Sequence, residues 1–198
     1  MPAKSNNKKI ARHNTNLVRI IAGDWRGRKL SFPDIPGLRP TGDRMRETLF
    51  NWLAPHIYKC RALDLFAGSG ALGMEALSRG AKSCIFVDSE SIVAQGLLDN
   101  LKLMQCNKGT VIQQSAFDAL GEIAPHSVDL LFLDPPFEAQ LHQPILDSLG
   151  DHRILANSAL VYVEAPKQES VQIPAGWSLI KEKITGQVRF SLYQTADG

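Results

Sequence analysis

Asp64-Leu65-Phe66-Ala67-Gly68-Ser69-Gly70-Ala71-Leu72-Gly73 joins a short apolar run over residues 61–66 to a segment of helical pattern over 71–79 that stops at Gly80. Gly68 and Gly70 let the backbone turn tightly and come close to a ligand, where a side chain would block it. Downstream the rhythm repeats. Residues 84–88 read as a strand, and Val93, Leu97, Leu101 and Met104 mark the inner face of a helix. Residues 110–114 make a third strand, 128–134 an almost wholly apolar fourth, and 159–165 a fifth. Residues 178–184 and 188–194 flank Thr185-Gly186-Gln187 as a closing antiparallel hairpin. Apolar strands alternating with helices predict an α/β fold around a mostly parallel sheet covered on both faces.

In such a sheet ligands bind beyond the carboxyl ends of the strands, where the glycine turn lies. Gly68-Ser-Gly70-Ala-Leu-Gly73 is also a literal G-x-G-x-x-G, with Asp88 at the distance where a dinucleotide fold carries its ribose-binding acid. An NAD-dependent oxidoreductase is therefore one reading. Asp64 speaks for another, because a carboxylate entering the turn repels a pyrophosphate. S-adenosylmethionine has no phosphate, and its amino and sulfonium groups are cationic. Asp88, ending the next strand, suits either cofactor through the ribose hydroxyls.

The fourth strand ends in Asp134-Pro135-Pro136-Phe137. The exocyclic amine of a nucleobase is a poor nucleophile, since its lone pair is delocalised into the ring. Fixed acceptors for its N–H groups favour a more tetrahedral nitrogen, and the Asp134 carboxylate and Pro135 carbonyl are suited to supply them. Two successive prolines, Pro135 and Pro136, restrict the backbone that carries those acceptors. Phe137 offers a stacking face for an extruded base. An adenine N6 in DNA would be served as well as a base of RNA.

Upstream, residues 17–21 and 28–32 read as strands around Gly23-Asp24-Trp25-Arg26-Gly27, and Pro33, Pro36, Gly37 and Pro40 then break regular structure. A helix follows over 43–58, with Met45, Leu49, Trp52 and Leu53 on one face. The net charge of +2 hides an asymmetry: residues 1–46 carry eleven Lys and Arg against three acids, while the remainder is net acidic. A basic arm or face of this kind suits a polyanion. Arg26, Arg28, Lys29, Arg44 and Arg46 are the candidate RNA contacts, and a noncatalytic RNA-binding protein is a further reading.

The composition is that of a globular protein, 44% hydrophobic, without a stretch apolar enough for a membrane span or a signal peptide. Cys60, Cys84 and Cys106 lack C-x-x-C spacing, and the five histidines lack ligand spacing. Free thiols in a reducing cytosol, no metal and a cytoplasmic location are expected.

Phe66-Ala67-Gly68-Ser69-Gly70 together with Asp-Pro-Pro-Phe resembles the signature pair of class I amino-methyltransferases acting on nucleic-acid bases. Arg19-Ile-Ile-Ala-Gly-Asp-Trp-Arg-Gly-Arg28 and Arg39-Pro-Thr-Gly-Asp-Arg-Met-Arg-Glu-Thr-Leu-Phe-Asn51 narrow this. They resemble the bacterial 16S rRNA guanine-N2 methyltransferase family called RsmD, and the likeness runs from about residue 17 to the C-terminus. The resemblance implies a Rossmann-like class I fold with a seven-stranded sheet whose last strand is antiparallel. It divides the chain into a basic flexible tail (1–16), an RNA-binding β-hairpin extension (17–42) and a methyltransferase domain (43–198). It implies that Asp64, Phe66, Ala67, Gly68, Gly70 and Asp88 contact S-adenosylmethionine, with Ala116, Phe117 and Asp118 beside its adenine. Asp134, Pro135, Pro136 and Phe137 would hold the guanine, guanine 966 of 16S rRNA, free or within the small ribosomal subunit. Thr41, Arg46 and Glu47 match the family motif without an assigned role.

Overall fold

The apolar runs pair as the sequence predicts. The computed structural model describes residues 15–35, 38 and 41–196; most of the basic tail expected over 1–16 lies outside them. A hairpin of β1 (Thr15–Arg19) and β2 (Lys29–Pro33) precedes α1 (Asp43–Leu53). The alternating region then runs β3 (Arg61–Asp64), α2 (Ala71–Ser78), β4 (Ser83–Asp88), α3 (Ser91–Leu103), β5 (Gly109–Gln113), α4 (Ala116–Glu122), β6 (Val128–Leu133), α5 (His142–His152) and β7 (Leu155–Pro166). Two strands close the chain, β8 (Ser178–Thr185) and β9 (Val188–Gln194).

The seven strands β3–β9 form one sheet in the order β5-β4-β3-β6-β7-β9-β8. Strands β5, β4, β3, β6 and β7 pair parallel, and β9 is antiparallel to both its neighbours. The last strand in sequence is thus inserted against the direction of the others, as expected. Strand order reverses between β3 and β6, so their carboxyl ends frame the crevice at the switch point.

Helix α1 stops at Leu53, short of the expected residue 58. Pro55 has no N–H to return to the helix, and the chain turns through His56 N–H and Ile57 N–H, both donating to Leu53 O. Gly73 serves packing: a Cβ there would lie 2.3 Å from the Phe86 ring and 2.7 Å from Cys84 Sγ. It lets α2 lie close on β4.

Each face of the sheet has its own apolar cluster. One gathers α1, α2, α3 and the hairpin, including Val18, Ile20, Leu30 and Phe32. The other gathers α4 and α5 over Leu63, Leu131 and Val161. The hairpin therefore shares a core with the residues after it. Its turn docks on the last turn of α2, where Asp24 N–H donates to Ser78 O and Trp25 N–H to Ser78 Oγ. At Gly23, with φ +82°, a Cβ would lie 1.9 Å from Ser78 O, so only glycine allows that approach.

Candidate active site

Two carboxylates organise the glycine turn. Asp64, ending β3, is 2% exposed, and its Oδ2 accepts the Gly73 N–H at 2.9 Å. Burial pushes its carboxyl up to about 7; the Gly73 N–H opposes the shift and the nearby Asp88 charge adds to it. Asp88, ending β4, accepts Gly68 N–H at 2.9 Å and Glu90 N–H at 3.0 Å. Burial raises its carboxyl too, against the pull of those two amides. Gly68 and Gly70 both have positive φ, +49° and +74°. The turn closes through Gly70 N–H to Ala67 O at 2.7 Å and is tied to β4 through Ala67 N–H to Val87 O at 2.9 Å.

This wiring bears directly on the dinucleotide reading. A pyrophosphate at this turn would need N–H donors of the loop and of the first turn of α2. Those of Gly68 and Gly73 already serve carboxylates. The turn presents negative charge where a phosphate would bring more of it, and it suits a cationic, phosphate-free ligand.

Across the crevice, β6 delivers Asp134 to its carboxyl end. Asp134 is half-buried, Pro135 is buried, and Pro136 and Phe137 are exposed at the rim, where a 3-10 turn (Phe137–Ala139) begins. Asp134 Oδ2 accepts the Thr41 hydroxyl at 3.2 Å. Burial holds the Asp134 carboxyl well above the carboxylate range, and the charges of Glu164 and Asp64 add to the shift. Leu38 Cδ1 covers Gly68, lying 2.7 Å from where a Cβ would stand, while Thr41 reaches Asp134. These residues are three apart in sequence, a span of at most about 11 Å. Asp134 and the glycine turn thus stand at the carboxyl ends of adjacent parallel strands, β6 and β3.

Asp64, Phe66, Ala67, Gly68, Gly70, Asp88 and Asp134 to Phe137 therefore assemble at one edge of the sheet. Ala116, Phe117 and Asp118 open α4 at the same edge, beyond β5. Ala116 is buried and Phe117 exposed, while Asp118 accepts from Ser115 Oγ at 2.7 Å in capping the helix.

The basic candidates divide differently. Arg26, Arg28 and Lys29 are exposed but lie toward the opposite edge, since the hairpin turn docks at the end of α2 and Arg28 Nη2 donates to Leu103 O at the end of α3. A helix of the length of α3 spans about 20 Å, so these cations stand well away from the crevice. Arg44 is exposed on α1. Arg46 corrects the expectation of an RNA contact: it is 0% exposed. Its guanidinium donates to Thr41 O (3.1 Å), Arg19 O (2.9 Å) and Asp43 Oδ1 (2.6 Å), and Nη1 lies 3.7 Å from Glu75 Oε2. Arg46 faces inward because it shares a helical face with Leu49, Phe50 and Leu53. Its role is to hold the Thr41 backbone.

Sequence reading missed three groups. Thr41, Glu75 on α2 and Glu164 in the fifth strand carry no assigned role in the sequence expectations. Glu164 is 6% exposed, accepts the Tyr162 hydroxyl at 2.8 Å, and stands beside Asp134 on the neighbouring strand.

A family model described as "Conserved hypothetical protein 95" matches residues 18–194. Ribosomal RNA small subunit methyltransferase D of Escherichia coli (strain K12) is 46% identical over 189 residues, 94% of this chain and 94% of that protein. The protein of the same name from Haemophilus influenzae is 48% identical over 192 residues, 94% of this chain and 99% of that one. Among solved structures, the putative methyltransferase yhhF from Escherichia coli superposes with a TM-score of 0.84 at 43% identity, covering 91% of this chain and 99% of that chain.

Proposed function

We propose a methyl-transfer function for this chain, which belongs to the ribosomal RNA small subunit methyltransferase D family. It uses S-adenosylmethionine to methylate 16S ribosomal RNA at the exocyclic N2 of a guanine, guanine 966 in our reading. One observation carries this: a crevice with Asp64 and Asp88 holding the glycine turn on one wall and Asp134 presented from the other. The acidic turn supports a cationic donor, and the Asp-Pro-Pro-Phe corner supports an amine acceptor.

S-adenosylmethionine, when bound, supplies an electrophilic methyl on a sulfonium sulfur. The residues of the chain bind and orient. Asp88 has a half-buried carboxylate at the end of β4, suited to accept from ribose hydroxyls. Phe117, exposed at the start of α4, offers a face to the adenine. The Asp134 carboxylate and Pro135 carbonyl accept from the guanine amine and turn its lone pair toward the methyl, a gain from position more than from basicity. Phe137 stacks on the base at the rim. Leu38, seated over Gly68, helps to exclude water. Once the nitrogen carries the methyl its remaining protons are acidic, and Asp134 is placed to accept one.

The hairpin's part is to anchor RNA away from the target base. Neutralising Arg26, Arg28 and Lys29 together is expected to weaken RNA affinity and to reduce its salt slope by about two to three, with little effect on kcat. Filter binding across a salt series measures this, and an unchanged slope would place the RNA on another face.

An adenine-N6 methyltransferase of DNA would use the same corner, but the family premise favours ribosomal RNA. Tritium transfer from labelled S-adenosylmethionine into isolated small-subunit RNA, small subunits or genomic DNA tests the function. Label in the RNA or the particle supports it. Label in DNA alone, or binding of NAD in place of the methyl donor by calorimetry, would contradict it.

A further inference from the structure

The carboxyl edge of the sheet continues past Asp134, and the chemistry above leaves that part unused. A cavity of about 450 Å³ opens there, lined by Phe137, Gln140, Gln143, Pro166, Gln168 and Glu169. Its size is that of a small-ligand site. Sheet order sets its place. The strands β3 and β4 end in Asp64 and Asp88, β6 leads into Asp134, and β7 lies on the far side of β6 from β3. Leu133 pairs with Val163, so Asp134 stands beside Glu164, and Pro166 is two residues further along. One strand spacing and two residue steps put Pro166 roughly 8 Å from Asp134, away from the glycine turn. The cavity therefore adjoins the corner that holds the amine, one strand further from the methyl donor. A single nucleotide step of an unstacked RNA strand covers that distance.

The walls are fixed by contacts of their own. Gln143 is used for structure: its Nε2 donates to Asp147 Oδ1 at 2.8 Å, and its Oε1 accepts Gln172 N–H at 2.7 Å. Arg189 Nη2 pins the loop after β7 by donating to the carbonyls of Lys167 and Glu169 at 2.6 and 2.7 Å. Lys167 N–H donates to Gln187 O at 2.7 Å. From α5, the fully buried His142 reaches the same loop. The Glu164 carbonyl only accepts, so His142 Nε2 donates to it at 2.7 Å. His142 Nδ1 approaches Glu169 Oε1 at 2.9 Å without an aligned hydrogen bond. Among the described residues Glu169 Oε2 has no hydrogen-bond donor, and no lysine or arginine pairs with the carboxylate. That oxygen is free to accept from a ligand.

We propose that this cavity is a subsite for the nucleotide next to the methylated one, and that Glu169 selects there a base bearing an exocyclic amine. The proposal rests on the amine-methylating reading of the Asp134 corner. The lining suits a neutral planar ring with a polar edge. Phe137 and Pro166 offer flat faces, while the Gln140 and Gln168 amides can donate or accept. A phosphate would meet no cation in this lining. A carboxylate only accepts, so it takes the amine N–H groups of guanine, adenine or cytosine. Uracil has no amine and turns two carbonyls toward its pairing edge. Each carbonyl facing the Glu169 oxygen would set acceptor against acceptor.

Binding of labelled pentanucleotides to the full chain, by fluorescence anisotropy, tests this without turnover. Each RNA has a central guanine, flanked by cytidines in one and by uridines in the other, so the target base is held constant. Wild-type protein should bind the cytidine-flanked RNA about tenfold tighter, the order of one hydrogen bond to a charged group. Glu169→Ala should bring the two affinities together. Glu169→Gln, whose amide also donates, should narrow the gap by improving the uridine-flanked RNA. The same ratio should appear in kcat/KM when small subunits carry cytosine or uracil beside the target guanine. Equal affinities in wild type, or a cytidine preference kept in Glu169→Ala, would overturn the proposal and leave the methyl-transfer reading standing. Should Glu169→Ala fail to fold, Gln168→Trp at an exposed position should fill the cavity and erase the preference, and a preference kept there would overturn the proposal. A wild-type protein that shows the preference yet methylates no RNA would overturn the functional reading and leave the cavity a base-binding site.

Discussion

Asp134→Ala is expected to lower kcat by about a thousandfold, the order seen when a preorganised hydrogen-bonding group is removed from a transition state, while S-adenosylmethionine binds within a few-fold of wild type. Donor binding should survive because the turn is held by Asp64 and Asp88, whose bonds to Gly73 and Gly68 do not pass through Asp134. Asp134→Asn, which keeps one acceptor oxygen beside the Pro135 carbonyl, should lose less. Stability should move the other way. The wild-type fold holds Asp134 close to the Glu164 and Asp64 carboxylates, whose charges disfavour its ionisation. Removing it relieves that repulsion, so the variant should unfold at equal or higher urea than wild type near neutral pH. Such a trade of stability for activity is common where like charges are gathered for chemistry. Single-turnover methyl transfer, donor calorimetry and urea titration on the same preparation separate the three effects. Asp134→Ala with wild-type turnover would remove the corner from the mechanism.

Glu75→Ala is expected to have the largest effect on folding. Glu75 lies on α2 with its side chain fully buried. Its Oε2 accepts Ile21 N–H at 2.7 Å, and its Oε1 accepts Ala22 N–H at 2.9 Å and Arg79 Nε at 2.7 Å. It is also the acid nearest Arg46 Nη1, a nitrogen with no hydrogen-bond partner of its own among the described residues. Truncation would leave a buried guanidinium without that countercharge and two hairpin amides without an acceptor. Breaking a buried ion pair from one side typically costs about 3–5 kcal/mol, a large share of a domain stability of about 5–15 kcal/mol. The damage should spread to the site, because Arg46 also holds the Thr41 carbonyl, and Thr41 holds Asp134. Glu75→Gln, which keeps acceptor oxygen but not charge, should lose roughly half as much. Urea unfolding reads both, and proteolysis should show the hairpin opening first. A midpoint unchanged in Glu75→Ala would mean that the hairpin is held by its apolar face alone.

The parts of this site that lie in consecutive residues were legible. The glycine turn and Asp-Pro-Pro-Phe each carry their chemistry within ten residues, and apolar runs announced β3, β4 and β6. Contacts between distant residues were not legible. Thr41 meets Asp134 across 93 residues, and Glu75 meets Ile21 across 54. Signals existed for some of them. Glu164 interrupts Leu160-Val161-Tyr162-Val163 and Ala165, a lone acid in an apolar strand, and Glu75 sits among Gly73, Met74, Ala76 and Leu77. A charge in such company needs a buried partner. Arg46 lies two residues from exposed Arg44, yet its spacing of three, four and seven from Leu49, Phe50 and Leu53 places it inward. Helix α4 is only seven residues long, with Phe117 and Asp118 exposed, so its periodicity is too brief to stand out. Strand β8 is exposed along its whole length, yet it was legible as residues 178–184 because the turn at Gly186 joins it to the more apolar β9.

The proposed function commits to one nucleoside. Small subunits from cells lacking the protein, incubated with it and a labelled methyl donor, should yield N2-methylguanosine from one position of 16S rRNA on digestion and mass spectrometry. Label recovered as N6-methyladenosine, as a ring-methylated base, or in no nucleoside at all would contradict the reading of Asp134 as the acceptor for a guanine amine.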